Sequence, residues 1–256
     1  MLKILQEAIA QLEKAGCATP QLDAEVLMAH AAGCKRHEIY MKDFSLSAPQ
    51  IKLFHQFVER RGKKEPVAYI VGYKEFWSLT IKVTPDVLIP RPETEQLVDQ
   101  AIEFLEKRKQ EPLEILDICT GSGCVAMALA TEFSNAKITV SDISDKALAV
   151  AKENLKFEKE RVQFVQSDLF ENIKGKFDLI VSNPPYLTTE LCSHLMPDVL
   201  QFEPHIAIDG GVKGLDFIDQ IRNNAANYLK ENGVLILEVG PHIQVWTSSL
   251  LKAEKN

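Results

Sequence analysis

No run in the 256-residue sequence approaches the roughly 18 consecutive apolar residues that a membrane-spanning helix needs. The first stretch contains acids and lacks both the basic region and the apolar core of an export signal. A cytoplasmic protein that neither enters a membrane nor is exported is therefore predicted. Positive charge is scarce as well. The 29 Lys and Arg face 36 acids, giving a formal charge of −7, which argues against a nucleic-acid backbone as partner, although a local basic groove stays possible. The five cysteines, Cys17, Cys34, Cys119, Cys124 and Cys192, are odd in number and lack paired C-x2-C spacing, so neither a zinc site nor a structural disulfide is expected. His30, His37 and His55 are scattered and suggest no ligand set.

What is present is ordinary for a soluble globular chain: 46% hydrophobic and 25% charged residues, enough for one large domain or two modest ones. Residues 2–15 place Leu2, Leu5, Ile9 and Leu12 on one helical face, and Gly16 closes the segment. Thr19-Pro20 opens a second helix carrying Leu22, Val26 and Leu27, which Gly33 ends. A short segment over 35–41 follows, and Ser47 can cap a further helix with Ile51, Phe54 and Val58. This predicts a small helical domain over 1–74, suited to recognition or support. Residues 65–90 change character, with Tyr69, Phe76 and Trp77 among them, and the alternation from Leu79 to Val83 reads as a β-hairpin over 75–90 linking the helical domain to a second domain over 91–256.

The second domain alternates strand and helix. Apolar segments at 114–118, 136–140, 162–165, 177–181 and 234–239 read as strands, with helices over 125–130, 146–155 and 214–229 between them. That pattern predicts an α/β fold, a Rossmann-like parallel sheet with right-handed crossovers. Ligands in such sheets bind at the carboxyl ends of the strands, so the residues that follow each strand are the candidates.

Four groups stand there. Thr120-Gly121-Ser122-Gly123 is a tight turn in which the two glycines let a ligand approach the backbone. Asp142 ends the next strand, about 20 residues later, where a carboxylate accepts from both ribose hydroxyls. Asp168 follows the third strand and could accept from an adenine amino group, with Leu169 and Phe170 as an apolar wall; an Asp after a strand also serves as a plain helix cap. After the fourth strand stands Asn183-Pro184-Pro185-Tyr186. Two prolines stiffen the segment and delete two donors, leaving the Asn183 oxygen and the Pro184 carbonyl as acceptors and the Tyr186 ring as a wall for a planar NH2 group. Before the sheet, Arg91-Pro92-Glu93-Thr94-Glu95 reads either as a helix start, with acids complementing the helix dipole, or as ligand-facing residues led by Arg91 and Glu93.

An adenosine site fits both NAD and S-adenosylmethionine, and the glycine turn does not separate them, since Ala126 occupies the third-glycine position where alanine also occurs. The Asn-Pro-Pro-Tyr run favours S-adenosyl-L-methionine, because it offers an NH2 pocket and no hydride acceptor is evident.

Several runs occur together and in order: Tyr69-Ile70-Val71-Gly72, the stretch 87–95 from Val87 to Glu95, Asp117-Ile118-Cys119-Thr120-Gly121-Ser122-Gly123, Asp142-Ile143-Ser144, Ser182-Asn183-Pro184-Pro185-Tyr186, Glu203-Pro204 and the stretch 211–215. In this the chain resembles the release-factor glutamine methyltransferases of the PrmC/HemK type over nearly all of residues 1–250. The resemblance implies methylation of the N5 amide of the Gln in the Gly-Gly-Gln loop of class 1 peptide chain release factors, by a monomer that binds no nucleic acid. It implies that Cys119 to Gly123 wrap the methionine part of the cofactor, that Asp142 holds the ribose, that Leu169 lies by the adenine, that Asn183 touches cofactor and substrate, and that residues 183–186 form the glutamine pocket. It also implies an N-terminal bundle that helps dock the release factor.

Two departures follow from the same comparison. Cys119 stands where the turn most often has its first glycine, so backbone strain is expected there. A closing antiparallel hairpin is expected to be missing after the helix-like 243–251, leaving the fifth strand as an exposed edge. Two other readings remain at the level of sequence: an adenine-N6 methyltransferase of DNA or RNA, which needs the same NH2 pocket for a flipped base, and a cofactor-binding scaffold without catalysis.

Overall fold

The computed structural model describes residues 2–240 and 251–252, and its contacts group into two compact units, Met1–Tyr73 with Met196–Phe202 and Lys74–Leu195 with Glu203–Asn256. The first unit is helical, built from α1 (Leu2–Lys14), α2 (Pro20–Ala32), α3 (Ala48–Gly62) and the short α4 (Val67–Val71). Its core gathers Leu5, Leu12, Leu27, Met28, Phe54 and Val58. Ser47 and Gln50 close the start of α3, the Ser47 N–H donating to Gln50 Oε1 at 2.9 Å.

One expected face is rotated. Leu22 is 45% exposed, and α2 instead buries Ala24, Leu27, Met28 and Ala31 together with Asp23. The acid tolerates burial because Arg61 Nε on α3 donates to Asp23 Oδ2 at 2.7 Å, while Ala24, Leu27, Met28 and Ala31 form the apolar stripe at helical spacing. Tyr69, grouped with the hairpin residues in the sequence, lies in α4.

The hairpin consists of β1 (Tyr73–Phe76) and β2 (Leu79–Lys82). Its two turn residues, Trp77 and Ser78, have φ of 51° and 56°, the twist-matched conformation that normally selects glycine or asparagine. In the second unit Trp77 is held at both ends: its backbone N–H donates to Glu95 Oε1 at 2.9 Å and its indole N–H to Glu132 Oε1 at 3.2 Å.

The rest of the second unit runs α5 (Glu95–Leu105), β3 (Glu114–Ile118), α6 (Cys124–Glu132), β4 (Lys137–Asp142), α7 (Asp145–Asn154), β5 (Val162–Gln166), β6 (Phe177–Ser182), α8 (Thr189–Cys192), α10 (Asp216–Ala225) and β7 (Leu229–Leu237), while α9 (Pro197–Phe202) groups with the helical unit. Five strands are parallel in the order β5-β4-β3-β6-β7, the Rossmann-like sheet expected from the sequence. Every residue of β6 is buried, as a strand covered on both faces requires. The chain steps outward from β3 to β4 and β5 and then returns to the other side of β3 with β6. That reversal opens a crevice at the carboxyl ends of β3 and β6.

Two expectations at the end of the chain change. Strand β7 starts at Leu229, earlier than the apolar run suggests: Leu229 pairs with Phe177, the register shifts before Val234 pairs with Leu179, and within this irregularity a Cβ on Gly233 would stand 2.7 Å from the Phe177 carbonyl oxygen. The outer edge of β7 is not left bare: β8 (Leu251–Lys252) pairs with it antiparallel at Val234 and Leu235. The helix-like 243–250 lies outside the described residues, and Leu251 is in a strand.

Candidate active site

Strands β4, β3 and β6 end side by side, and their ends carry Asp142, the glycine turn and Asn183 respectively. Together with residues 86–88, 90, 91 and 94, residues 204, 206 and 207, and Phe217 they line a cleft of about 1060 Å³, counting its open mouth.

The turn after β3 is left-handed at three positions, Cys119 (φ 58°), Gly121 (φ 55°) and Gly123 (φ 77°). The strain expected at Cys119 is thus present. The two glycines serve different ends. A Cβ on Gly121 would meet nothing within 4 Å, so this backbone is open to the cleft, whereas one on Gly123 would stand 3.1 Å from the Ala151 side chain. Gly123 therefore packs α6 against α7 and is not part of the cleft wall, contrary to the sequence reading. Beneath the turn, Thr120 Oγ1 donates to Asp117 Oδ2 at 2.6 Å, and burial pushes the Asp117 carboxyl up to about 7.

Asp142 lines the cleft and organises it. Its Oδ2 accepts from the Gly121 N–H at 2.9 Å and its Oδ1 from the Ser144 N–H at 3.0 Å, while burial raises its pKa. Each oxygen keeps a lone pair for a ligand. Asp168 and Leu169 also line the cleft, with Leu169 at φ 43° and its carbonyl accepting from Ser167 Oγ at 2.9 Å. Phe170 does not: its ring stacks on Tyr228 at 4.5 Å within the core, so Leu169 and Phe217 supply the apolar wall.

At the end of β6, Asn183 and Pro185 reach the cleft; Pro184 and Tyr186 do not line it. Asn183 Nδ2 donates to Thr94 Oγ1 at 3.1 Å, which turns the amide's carbonyl the other way. The Tyr186 hydroxyl donates to Glu238 Oε1 at 3.3 Å, and burial with that neighbouring acid pushes the phenol up to about 12. Its ring packs on the core instead of forming an open wall. The turn is pressed from behind by Gly210, where a Cβ would stand 2.7 Å from the Pro185 carbonyl oxygen.

Arg91 lines the cleft and Glu93 does not. The guanidinium is already engaged, Nη2 donating to Glu203 Oε1 at 2.5 Å, while Glu203 Oε2 accepts from the Ile89 N–H at 3.1 Å. Pro92–Thr94 forms a turn of 3-10 helix leading into α5, as the helix-start reading expects.

Four residues that matter were not singled out from sequence: Asp117, Thr94, Glu203 and Glu238. The first three sit inside motifs that are visible as runs of residues. Glu238 carries only a weak signal, an acid directly after an apolar strand.

The charge of the cleft is one-sided. Its lining holds Asp86, Asp117, Asp142 and Asp168 against a single cation, Arg91, which is paired. Elsewhere, Cys192, His205 and Asp209 bring ligand atoms within 4.8 Å of one another, the one such set among the described residues. Asp209 there already accepts from Thr189 Oγ1 and the Gly211 N–H, both at 2.9 Å, and none of the three lines the cleft.

Comparison with known proteins agrees with this layout. The family model described as PrmC N-terminal domain matches residues 3–72, and the Methyltransferase small domain matches residues 94–196. Among solved structures, the hMettl16 catalytic domain in complex with the MAT2A 3'UTR hairpin 6 aligns with a TM-score of 0.51 and 16% identity over 63% of this chain and 61% of that one, a likeness of fold. The release factor glutamine methyltransferase of Haemophilus influenzae is 40% identical over 92% of this chain and 85% of its own length. That of Rhodopirellula baltica is 40% identical over all of this chain and 88% of its own, and with this degree of likeness the chain belongs to the release factor glutamine methyltransferase family.

Proposed function

We propose that this enzyme transfers a methyl group from S-adenosylmethionine to the side-chain nitrogen N5 of the glutamine in the Gly-Gly-Gln loop of class 1 peptide chain release factors, and that the helical domain over 1–74 recognises the release factor. The observation that carries the reading is the direction of the Asn183 amide: with its NH2 bound to Thr94, its oxygen is left to accept from another NH2 group beside the acid-lined cleft.

The cleft fits the cofactor. S-adenosylmethionine carries a sulfonium and an ammonium, and Asp117, Asp142 and Asp168 line a site with no unpaired cation among its described residues. The pyrophosphate of NAD would meet Asp142 and Asp168 unfavourably, which favours S-adenosylmethionine. The backbone of residues 119–122 would wrap the methionine part, open at Gly121. Asp142 would accept from the ribose hydroxyls, and Asp168 and Leu169 would hold the adenine.

When bound, the cofactor supplies an electrophilic methyl group. What the chain supplies is orientation and charge. An amide nitrogen is a poor nucleophile because its lone pair is delocalised into the carbonyl. The Asn183 oxygen would accept from the NH2 group of the glutamine, favour a pyramidal nitrogen and stabilise positive charge as it develops there. The excess proton leaves to water. Pro185 excludes solvent from one side, and Tyr186 fixes the turn by its hydroxyl.

An adenine amino group could present the same two N–H bonds, but the acidic lining offers nothing to a nucleic-acid backbone. Incubation with labelled cofactor, release factor and DNA in parallel tests the reading: label on the Gly-Gly-Gln peptide supports it, label on DNA alone overturns it, and cofactor binding with no transfer to either marks a scaffold.

A further inference from the structure

Directly beneath the Asn183 turn lies an acid that neither the substrate pocket nor the cofactor site uses. Glu238 follows β7, and its N–H donates to the Ser182 carbonyl at 3.0 Å, which places it beside the end of β6. Glu238 Oε1 receives the Tyr186 hydroxyl, and Oε2 is buried, with Thr94 and Asn183 the other polar side chains beside the carboxylate. A carboxylate is costly to bury, so its presence at this point asks for a reason.

We propose that Glu238 is a positioning residue for methyl transfer: as a carboxylate that only accepts hydrogen bonds, it sets the direction of the bonds around Asn183 and holds the Asn183 carbonyl oxygen toward the cleft. This rests on the methyl-transfer reading above. The logic is one of donors and acceptors. The Thr94 hydroxyl has one proton, and with Glu238 nearby that proton is drawn to the carboxylate, leaving a Thr94 lone pair to accept from Asn183 Nδ2. Thr94 is buried, so no water competes for the relay. With an amide at position 238, the Thr94 oxygen can accept from that amide and donate to Asn183 instead. The Asn183 amide then turns over, presents NH2 to the substrate's NH2, and the acceptor is lost. The negative charge behind the turn also strengthens Asn183 as an acceptor when the substrate nitrogen becomes cationic.

The groups facing Glu238 are Thr94, Asn183, Tyr186, the negative charge of Glu93 and, at the start of α6, Cys124; Arg91 acts on Tyr186. Burial raises the pKa of Glu238 and the three hydrogen-bonding side chains pull it back. Protonation therefore removes the alignment from the acid side.

The test measures kcat, KM for release factor and calorimetric cofactor affinity in Glu238→Gln, Glu238→Asp and Thr94→Val, with wild type as the check on the underlying reading. Expected are a fall in kcat of about 10- to 100-fold in Glu238→Gln, a KM within about threefold of wild type, unchanged cofactor affinity, partial recovery in Glu238→Asp and loss of the acid limb of the kcat–pH profile. Thr94→Val, which removes the relay and keeps the shape, is expected to lower kcat likewise, and it decides the matter if Glu238→Gln does not fold. Glu238→Gln or Thr94→Val with kcat within about twofold of wild type, or an acid limb that survives in Glu238→Gln, overturns the proposal. A wild-type enzyme that leaves release factor unmethylated overturns the reading on which it rests.

Discussion

Asn183 Nδ2 donates to Thr94 Oγ1 at 3.1 Å, joining the proline-stiffened turn after β6 to the turn that leads into α5 across 89 residues of sequence. The bond fixes which end of the Asn183 amide faces the cleft. Asn183→Ala removes the acceptor without emptying a core position, since Asn183 is only half-buried. Turnover is expected to fall by about 100-fold or more, the scale seen when one preorganised hydrogen-bonding group is removed from an active site. Steady-state kinetics with release factor measures it, and a variant with full turnover refutes the assignment.

Gly210 and Gly121 are expected to separate stability from binding. A methyl group at Gly210 would press on the Pro185 carbonyl oxygen at 2.7 Å and on Tyr186 Cα at 2.9 Å. Gly210→Ala should therefore shift the turn, cost about 1–3 kcal/mol and lower kcat. At Gly121 the space is open but φ is 55°, so Gly121→Ala should cost only about 1–2 kcal/mol while its methyl group weakens cofactor binding. Denaturant unfolding and calorimetry together check the contrast. A Gly210→Ala protein with wild-type kcat contradicts it.

Cys119 occupies the left-handed region at φ 58°, where a side chain is strained. Cys119→Gly relieves that strain but gives the unfolded chain more freedom, so the net gain is expected to be at most about 1 kcal/mol. Cofactor affinity should rise slightly, because the turn reaches its ligand-ready shape at lower cost. A lowered melting temperature in the variant contradicts the strain argument.

Asp117 makes stability depend on pH. Burial is the main reason that its carboxyl titrates at about 7 in the folded chain, and the hydrogen bonds from Thr120 and the Ala126 backbone only partly offset it. An acid with a higher pKa folded than unfolded holds more protons in the native state, so its contribution is fully present below the unfolded value of about 4 and is lost as pH rises through about 7. The protein is expected to resist urea better at about pH 5 than at about pH 8, and Asp117→Asn to flatten that slope. An equally steep slope in the variant contradicts the assignment.

The parallel sheet and the positions of Asp142, Asp168 and Asn183 could be read from the sequence because each follows an apolar strand, and in this topology every such position falls on one rim. The roles of Gly123 and Phe170 could not, because each depends on what packs across from it: Ala151 behind the glycine, Tyr228 behind the ring. The exposed Leu22 is a similar case, since its neighbour Asp23 is buried only through a partner 38 residues away, Arg61. Thr94 and Glu238 escaped for a related reason. Neither has chemistry of its own toward a ligand, and each matters only through the side chain that it orients.

The most direct test of the central claim is mass spectrometry of a class 1 release factor incubated with cofactor and either the wild-type enzyme or Asn183→Ala. The account predicts one added methyl group on the glutamine of the Gly-Gly-Gln peptide with wild type, and almost none with a variant that still binds cofactor. A methyl group on another residue, or full methylation by the variant, would contradict it.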